Sequence, residues 1–150
     1  MKANPKLKKV YLNMQNGEIS KEGFLGDDKR ELNEIIEDDE KMIQSLNIEI
    51  EKITDKMEQL EIASIKGLGE PVIVENKWEV KINEVKGYMV CPFEDGIYRK
   101  HNIHIKNLKN NKEINFSDLS LHLIREHHFL QGKGSFYRLE PKILKEVLEI

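Results

Sequence analysis

The feature that most constrains the fold is a heptad-like run of apolar residues between Leu32 and Leu60. Its members alternate spacings of about four and three residues, as on one face of an α-helix, with Asp39 as the polar intruder. They are Leu32, Ile36, Ile43, Leu46, Ile50, Ile53, Met57 and Leu60. The run predicts helical structure over most of residues 28–66.

Two helical arrangements fit this run. One continuous helix would extend about 45 Å at 1.5 Å per residue and would need a partner helix, so it implies a dimer. In the alternative, Asn47 takes the left-handed position after a helix end and Ile48 makes the hydrophobic contact beyond it, which gives a helical hairpin. In either arrangement the segment binds something helical, which is its own other half or another chain. We predict that residues 28–65 serve homo-oligomerisation or binding of a protein partner.

Charge and aromatic residues divide the chain. The net charge is −3, but residues 31–77 carry thirteen Asp and Glu against five Lys and Arg, and no aromatic residue occurs between Phe24 and Trp78. An acidic stretch without large rings is typical of packed helices. We therefore predict an N-terminal segment (1–27), an acidic helical segment (28–66) and an α+β domain (67–150).

The third region is predicted to be a small, mostly antiparallel sheet packed on one core helix. Gly and Pro interrupt the helix at 67–71, and Val, Ile and aromatic residues follow. Strands are expected at 72–74, 78–85, 87–91, 102–106 and 113–116, with a turn at 109–112. Ser117 then caps the core helix, which continues to Phe129, and Pro141 begins a last short helix.

Two further predictions concern the first 28 residues. The alternation of Val10, Leu12 and Met14 is compatible with a short strand. Gly26, Asp27 and Asp28 resemble a helix entrance, with an aspartate as the N-cap.

Composition indicates a cytoplasmic protein. The one cysteine, Cys91, cannot form an internal disulfide and suits a reducing compartment. The N-terminus lacks the apolar run of a secretory signal, and no stretch of about 18 apolar residues predicts a membrane span.

Cys91, His104, His122 and His127 form a candidate metal site, for which zinc is the expected ion. A cysteine near a strand end, then a hairpin, then a helix with two histidines is locally similar to a ββα zinc finger. The pattern departs from that finger because the chain has one cysteine and because His122 and His127 lie about 140° apart on a helical wheel. The alternative is a buried thiol and a hydrogen-bonded core histidine.

The second candidate is a nucleic-acid-binding site. Residues 98–112 contain five Lys and Arg, two His and no acid. A hairpin there could present its cations to phosphates. The cations are Arg99, Lys100, Lys106, Lys109 and Lys112. A solvated hairpin, or one that meets the acidic helices, explains the same pattern.

A third candidate is an anion-binding loop after the core helix, where glycine amides could surround a phosphate. Its residues are Gly132, Lys133, Gly134, Ser135 and Arg138. A glycine-rich helix exit explains the same residues. A cysteine-dependent enzyme would combine Cys91 with His127 or His104 and an acid such as Asp95, although no catalytic motif surrounds these residues.

The preferred functional hypothesis is a small interaction or regulatory module that self-associates or binds a partner through the helical segment. The alternative is a nucleic-acid-binding domain that uses the basic hairpin at 98–112, supported by a metal. A small cysteine-dependent enzyme is the third hypothesis.

Overall fold

The computed structural model describes residues 5–19 and 23–150, so parts of the N-terminal segment 1–27 lie outside the described residues. The helices of the described part are α1 (Pro5–Asn13), α2 (Leu32–Ser45), α3 (Ile50–Ile65), α4 (Asp118–His127) and α5 (Pro141–Leu148). The strands are β1 (Val72–Val74), β2 (Trp78–Asn83), β3 (Tyr88–Val90), β4 (Ile97–Arg99), β5 (Asn102–Asn107) and β6 (Glu113–Ser117). Within that part, every helix falls short of the length and apolar character needed to cross a membrane.

The predicted α+β class is confirmed. An antiparallel four-stranded sheet has the order β1-β2-β5-β6, and β3 and β4 form a separate two-stranded sheet. Strand β4 was not predicted from the sequence, because Ile97–Arg99 lacks the run of β-branched residues that marks β1.

The helical segment turns at Asn47, so the hairpin alternative is confirmed and the continuous helix is wrong. Asn47 adopts a φ of 58°. Its amide donates to the Gln44 carbonyl at 3.0 Å, and the Ile48 amide donates to the Ile43 carbonyl at 3.3 Å. These two bonds satisfy the last carbonyls of α2, and Ile48 packs against the core beyond the turn.

The apolar face of the helical segment packs in the core of the protein. Ile43 of α2 and Ile53, Met57 and Leu60 of α3 are buried in one cluster with Trp78 and the other inward residues of the sheet. A helical partner would therefore meet the outer, acidic side of α2 and α3.

Helix α4 lies between two hydrophobic clusters, which makes it the central element of the fold. Leu121 and Ile124 pack with the four-stranded sheet and α5. Leu119 and Leu123 pack with α1, the start of α2 and Phe129. The predicted cap is present, since the Ser117 hydroxyl accepts from the Ser120 amide at 3.1 Å and the Ser120 hydroxyl accepts from the Ser117 amide.

The predicted strand at Val10–Met14 is wrong, because these residues belong to α1 and the turn after it. Val10 and Met14 are four residues apart, so both face the second cluster, whereas Leu12 between them is 59% exposed. A three-residue alternation of this kind cannot separate a strand from a helical face.

Asp28 is not the N-cap of α2, because the helix begins at Leu32 and Glu31 is the N-cap. The Asp28 carboxylate instead accepts from the Arg30 guanidinium and from the Lys133 amide, the latter at 3.1 Å. The Arg30 guanidinium and the amides of Lys133 and Arg30 stabilise the charged carboxylate more than burial destabilises it. They hold the pKa of Asp28 well below its usual range. The aspartate therefore attaches the segment before α2 to the loop after α4.

Glu61 of α3 and Asp118 in the first turn of α4 bring two carboxyl groups together in the interior. Glu61 Oε1 and Asp118 Oδ2 are both buried, and His101 Nδ1 lies 3.5 Å from the Asp118 oxygen. Burial, followed by the hydrogen bond to Asp118, raises the pKa of Glu61 to about 8. Glu61 therefore keeps its proton at neutral pH, so a neutral carboxyl group lies beside Asp118.

This pair predicts a pH-dependent stability. The unfolded chain loses the Glu61 proton near the ordinary pKa of 4.5 and the folded protein near 8, so the free energy of unfolding should fall as pH rises through that window. The Glu61→Gln substitution should reduce this pH-dependent fall in the free energy of unfolding by roughly 2 kcal/mol. This is less than the full pKa shift implies, because solvent screens the partly exposed carboxyl group.

Urea unfolding at the two ends of the window measures this difference. Glu51→Gln, an exposed change on the same helix, is the matched control and should leave the wild-type pH dependence intact. Equal pH dependence in wild type and Glu61→Gln would contradict the assignment of the proton.

Candidate metal centre

The loop between β3 and β4 places two functional side chains against α4. The Cys91 amide donates to the Gly96 carbonyl at 2.9 Å, and the Glu94 amide donates to the Cys91 carbonyl at 2.8 Å. Glu94 takes a left-handed φ of 63°, which closes the turn. A Cβ at Gly96 would lie 2.8 Å from Tyr98 Oη, so glycine lets the Tyr98 ring cross the loop.

The Asp95 carboxylate connects this loop to the two histidines of α4. Asp95 Oδ1 is 2.9 Å from His122 Nε2, and Oδ2 is 2.6 Å from His127 Nε2. Burial alone would raise the pKa of Asp95, but hydrogen bonds from the Cys91 thiol and both imidazoles outweigh it and hold that pKa well below its usual range. Each imidazole therefore donates its Nε2–H to an ionised carboxylate.

Cys91 is fully buried beside Asp95. Burial, and then the hydrogen bond to Asp95, raise the pKa of the thiol to about 12, while hydrogen bonds from the Phe93 and Asp95 amides to the sulfur act in the opposite direction. A buried thiol of this kind is not an activated nucleophile. The two amides do suit a thiolate whose charge is neutralised by a cation.

A second layer of side chains orients the imidazoles. Tyr98 Oη lies 2.7 Å from His122 Nδ1, so the tyrosine hydroxyl donates while Nε2–H is bonded to Asp95. The Phe93 ring stacks on His127 with centroids 3.8 Å apart. With zinc on Nε2, the proton of the His122 ring would lie on Nδ1 and would be donated to Tyr98 Oη, which is the outer contact that orients a metal-bound imidazole.

Together these residues form a four-donor centre. One donor atom each from Cys91, Asp95, His122 and His127 lies within 4.8 Å of every other. In a tetrahedral zinc site, bonds of about 2.0–2.3 Å put the donors about 3.3–3.8 Å apart. The widest donor pairs would close by about 1 Å on binding, while the Asp95–imidazole contacts of 2.9 and 2.6 Å would lengthen.

Three of the four residues predicted as metal ligands lie together, and His104 does not. His104 is on β5, opposite Asn115 of β6, and its Nε2 lies 3.4 Å from Glu113 Oε1. The fourth donor of the cluster is Asp95. The sequence signal for Asp95 was its position in the same tight loop as Cys91, where a zinc finger carries its second cysteine.

The helical wheel gave the wrong relation between His122 and His127. Their ring centroids are 5.2 Å apart and both rings contact Asp95. His127 is the last residue of α4, and His128 turns the chain with a left-handed φ of 54°. Imidazoles are long enough to lean toward a group between them, which is why zinc fingers tolerate three to five intervening residues.

The cations predicted to bind nucleic acid are divided between two places. Arg99 and Lys100 lie on and just after β4 of the two-stranded sheet. In the other sheet, Lys106 lies on β5, and Lys109 and Lys112 lie in the β5–β6 turn, where Lys112 pairs with Glu146. The structure therefore does not present them as one hairpin.

In the loop predicted to bind an anion, three backbone amides already donate hydrogen bonds within the protein. The Gly132 amide donates to the Phe24 carbonyl, the Lys133 amide to the Asp28 carboxylate and the Ser135 amide to the Gly132 carbonyl. Arg138 forms a bidentate pair with Asp39, with contacts of 2.5 and 2.8 Å, and both side chains are 7% exposed. The polar residue on the apolar stripe of α2 thus has a buried partner.

This pair predicts a large effect at Arg138 and a small one nearby. Arg138→Ala leaves the Asp39 carboxylate buried without its cation and should lower the free energy of unfolding by about 3–5 kcal/mol. Lys133→Ala removes an exposed cation from the same loop and should change it by less than about 0.5 kcal/mol. Urea unfolding of both variants checks this, and similar losses would show that the pair has no special role.

Comparison of the chain with protein-family models, with curated proteins and with solved structures gave no match. The functional conclusion therefore depends on the chemistry of the four-donor centre itself.

Proposed function

We propose that the protein is a small zinc-binding module in which one ion, held by Cys91, Asp95, His122 and His127, fixes the β3–β4 hairpin to α4. The observation that carries this proposal is the convergence of the four donor atoms within 4.8 Å. They come from two segments that are far apart in the chain, so local sequence proximity does not explain their meeting.

The donor set selects the class of ion. A thiolate and two imidazoles favour zinc and similar transition metals, whereas magnesium and calcium prefer oxygen ligands throughout. The Asp95 carboxylate adds a fourth ligand and a second negative charge. With Cys91 as thiolate, the two charges balance those of a divalent cation.

The site is suited to a structural role. Strands β3 and β4 have three residues each, and an isolated hairpin of that size is marginal in water. Its inner residues Met89 and Tyr98 pack on the second cluster, but the loop reaches α4 through Asp95. Coordinate bonds from both segments would stabilise this junction as zinc does in small domains.

Partner binding through residues 28–65 stays a prediction. The surface left for it is mostly acidic, and several of its carboxylates already have partners. Glu58 accepts from Arg125 at 2.8 Å, and Glu40 lies 2.7 Å from His128 Nδ1.

Metal analysis of protein purified without added zinc tests the proposal. Wild type should contain about one zinc ion per chain, because the four donors complete a closed tetrahedral site. Cys91→Ser and His122→Gln should lose most of this zinc and should bind it at least tenfold more weakly on titration after chelation. At an excess of about 100-fold over Kd, zinc should stabilise the wild type by about 2.7 kcal/mol.

Two histidines outside the centre provide matched controls. His104→Gln changes the residue on β5, and His128→Gln changes the neighbour of a proposed ligand. Both variants should keep the zinc content of wild type. Wild-type protein that neither contains zinc nor binds it when supplied would contradict the proposal, leaving Asp95 as the acceptor of a purely hydrogen-bonded cluster.

A further inference from the structure

The outer face of the β3–β4 hairpin is an exposed apolar and basic surface. The register pairs Tyr88 with Arg99 and Val90 with Ile97, and these four side chains share one face of the two-stranded sheet. Tyr88 is 61% exposed and Ile97 is 65% exposed. The alternate residues Met89 and Tyr98 face the second cluster. The hairpin therefore packs one face against the protein and leaves the other face exposed to solvent.

One cation lies on this face and two more flank its open end. The Arg99 guanidinium lies 5.8 Å from the Tyr88 ring centroid. Lys86 and Lys100 are exposed at the open end of the hairpin, with Lys100 Cδ 3.8 Å from the position of a Cβ at Gly87. None of the four outward positions carries an acid, although the whole protein has a net charge of −3.

We propose that this face binds single-stranded nucleic acid. A base would stack on the exposed Tyr88 ring and contact Val90 and Ile97, while Arg99, Lys86 and Lys100 would neutralise the flanking phosphates. Aromatic stacking beside a cationic track is the general means by which proteins bind single strands without reading sequence. Three cations predict a modest salt dependence, with a slope of log K against log salt of about −2.

An acidic polypeptide is the competing occupant. Its carboxylates could use the cations, but they have no flat apolar surface to cover the Tyr88 ring. A nucleotide offers a flat base and a phosphate within one unit, which matches an exposed ring directly beside a guanidinium. The observations therefore favour nucleic acid.

This inference goes beyond the zinc site and has its own basis. The pairing of β3 with β4 and the packing of Met89 and Tyr98 define the face, whether or not an ion supports the loop. Zinc content measured on the same samples separates failure of the metal site from failure of this surface.

Fluorescence anisotropy with the full chain and labelled oligothymidylate and oligouridylate of about 20 nucleotides tests it. Wild type should bind at about 50 mM salt and about fourfold more salt should weaken binding by roughly 20-fold. Tyr88→Ala should weaken binding about tenfold, through loss of one stacked base. The double variant R99A/K100A should weaken it further and reduce the salt slope by more than half.

The matched control is K106A/K109A, which removes the same charge from the end of β5 and the β5–β6 turn and should bind like wild type. All substituted side chains except Lys106, which is half-buried, are exposed, and circular dichroism verifies that each variant is folded. No binding by wild type at about 50 mM salt would overturn the proposal. An equal loss of affinity in both double variants would also overturn it. Displacement of the oligonucleotide by polyglutamate at equal charge concentration would overturn it as well and would assign the face to acidic polypeptides.

Discussion

The contacts between the β3–β4 hairpin and α4 determine where the hairpin lies. The Asp95 carboxylate of its six-residue loop lies 2.9 Å from His122, in the middle of the helix, and 2.6 Å from His127 at its end, and the inner residues Met89 and Tyr98 pack on the second cluster. Such short strands gain little from their own ladder, so the position of the hairpin depends on what its loop and inner face contact. The buried Cys91 and the stacked Phe93 belong to the same junction.

The rest of the fold supplies the rigidity that this junction needs. The Ser117 and Ser120 capping box sets the start of α4, and hydrophobic clusters on both sides hold its axis. Beyond His127 the chain reverses, and Phe129 returns to the second cluster. His122 and His127 are therefore presented by a helix that is fixed at both ends, as a binding site requires.

Much of the fold could be predicted because local patterns and tertiary packing agree there. The Asn47 turn, the Ser117 cap, the Pro141 helix start and the alternation beginning at Trp78 each have a local physical cause. The errors occur where a tertiary partner decides. Asp28 could have capped a helix but binds Arg30 and the Lys133 amide, and Val10 and Met14 could have belonged to a strand but pack on the second cluster from α1 and the turn after it.

The candidate site was predictable in part for the same reason. Cys91, His122 and His127 are residue types that bind metals, and their types and order are visible in the sequence. Asp95 was missed as a ligand because an aspartate at the loop position of a second cysteine is a weaker signal than a cysteine, and His104 was included because a histidine in a strand looks equally suitable. Which of them converge depends on how the hairpin docks on α4, and that is a property of the tertiary fold.

Zinc K-edge X-ray absorption on the zinc-loaded protein tests the coordination most directly. We predict a four-coordinate ion with one sulfur at about 2.3 Å and three nitrogen or oxygen neighbours at about 2.0 Å, the sulfur being lost in Cys91→Ser. A shell of about six nitrogen and oxygen ligands without sulfur would contradict a zinc centre built on Cys91, Asp95, His122 and His127.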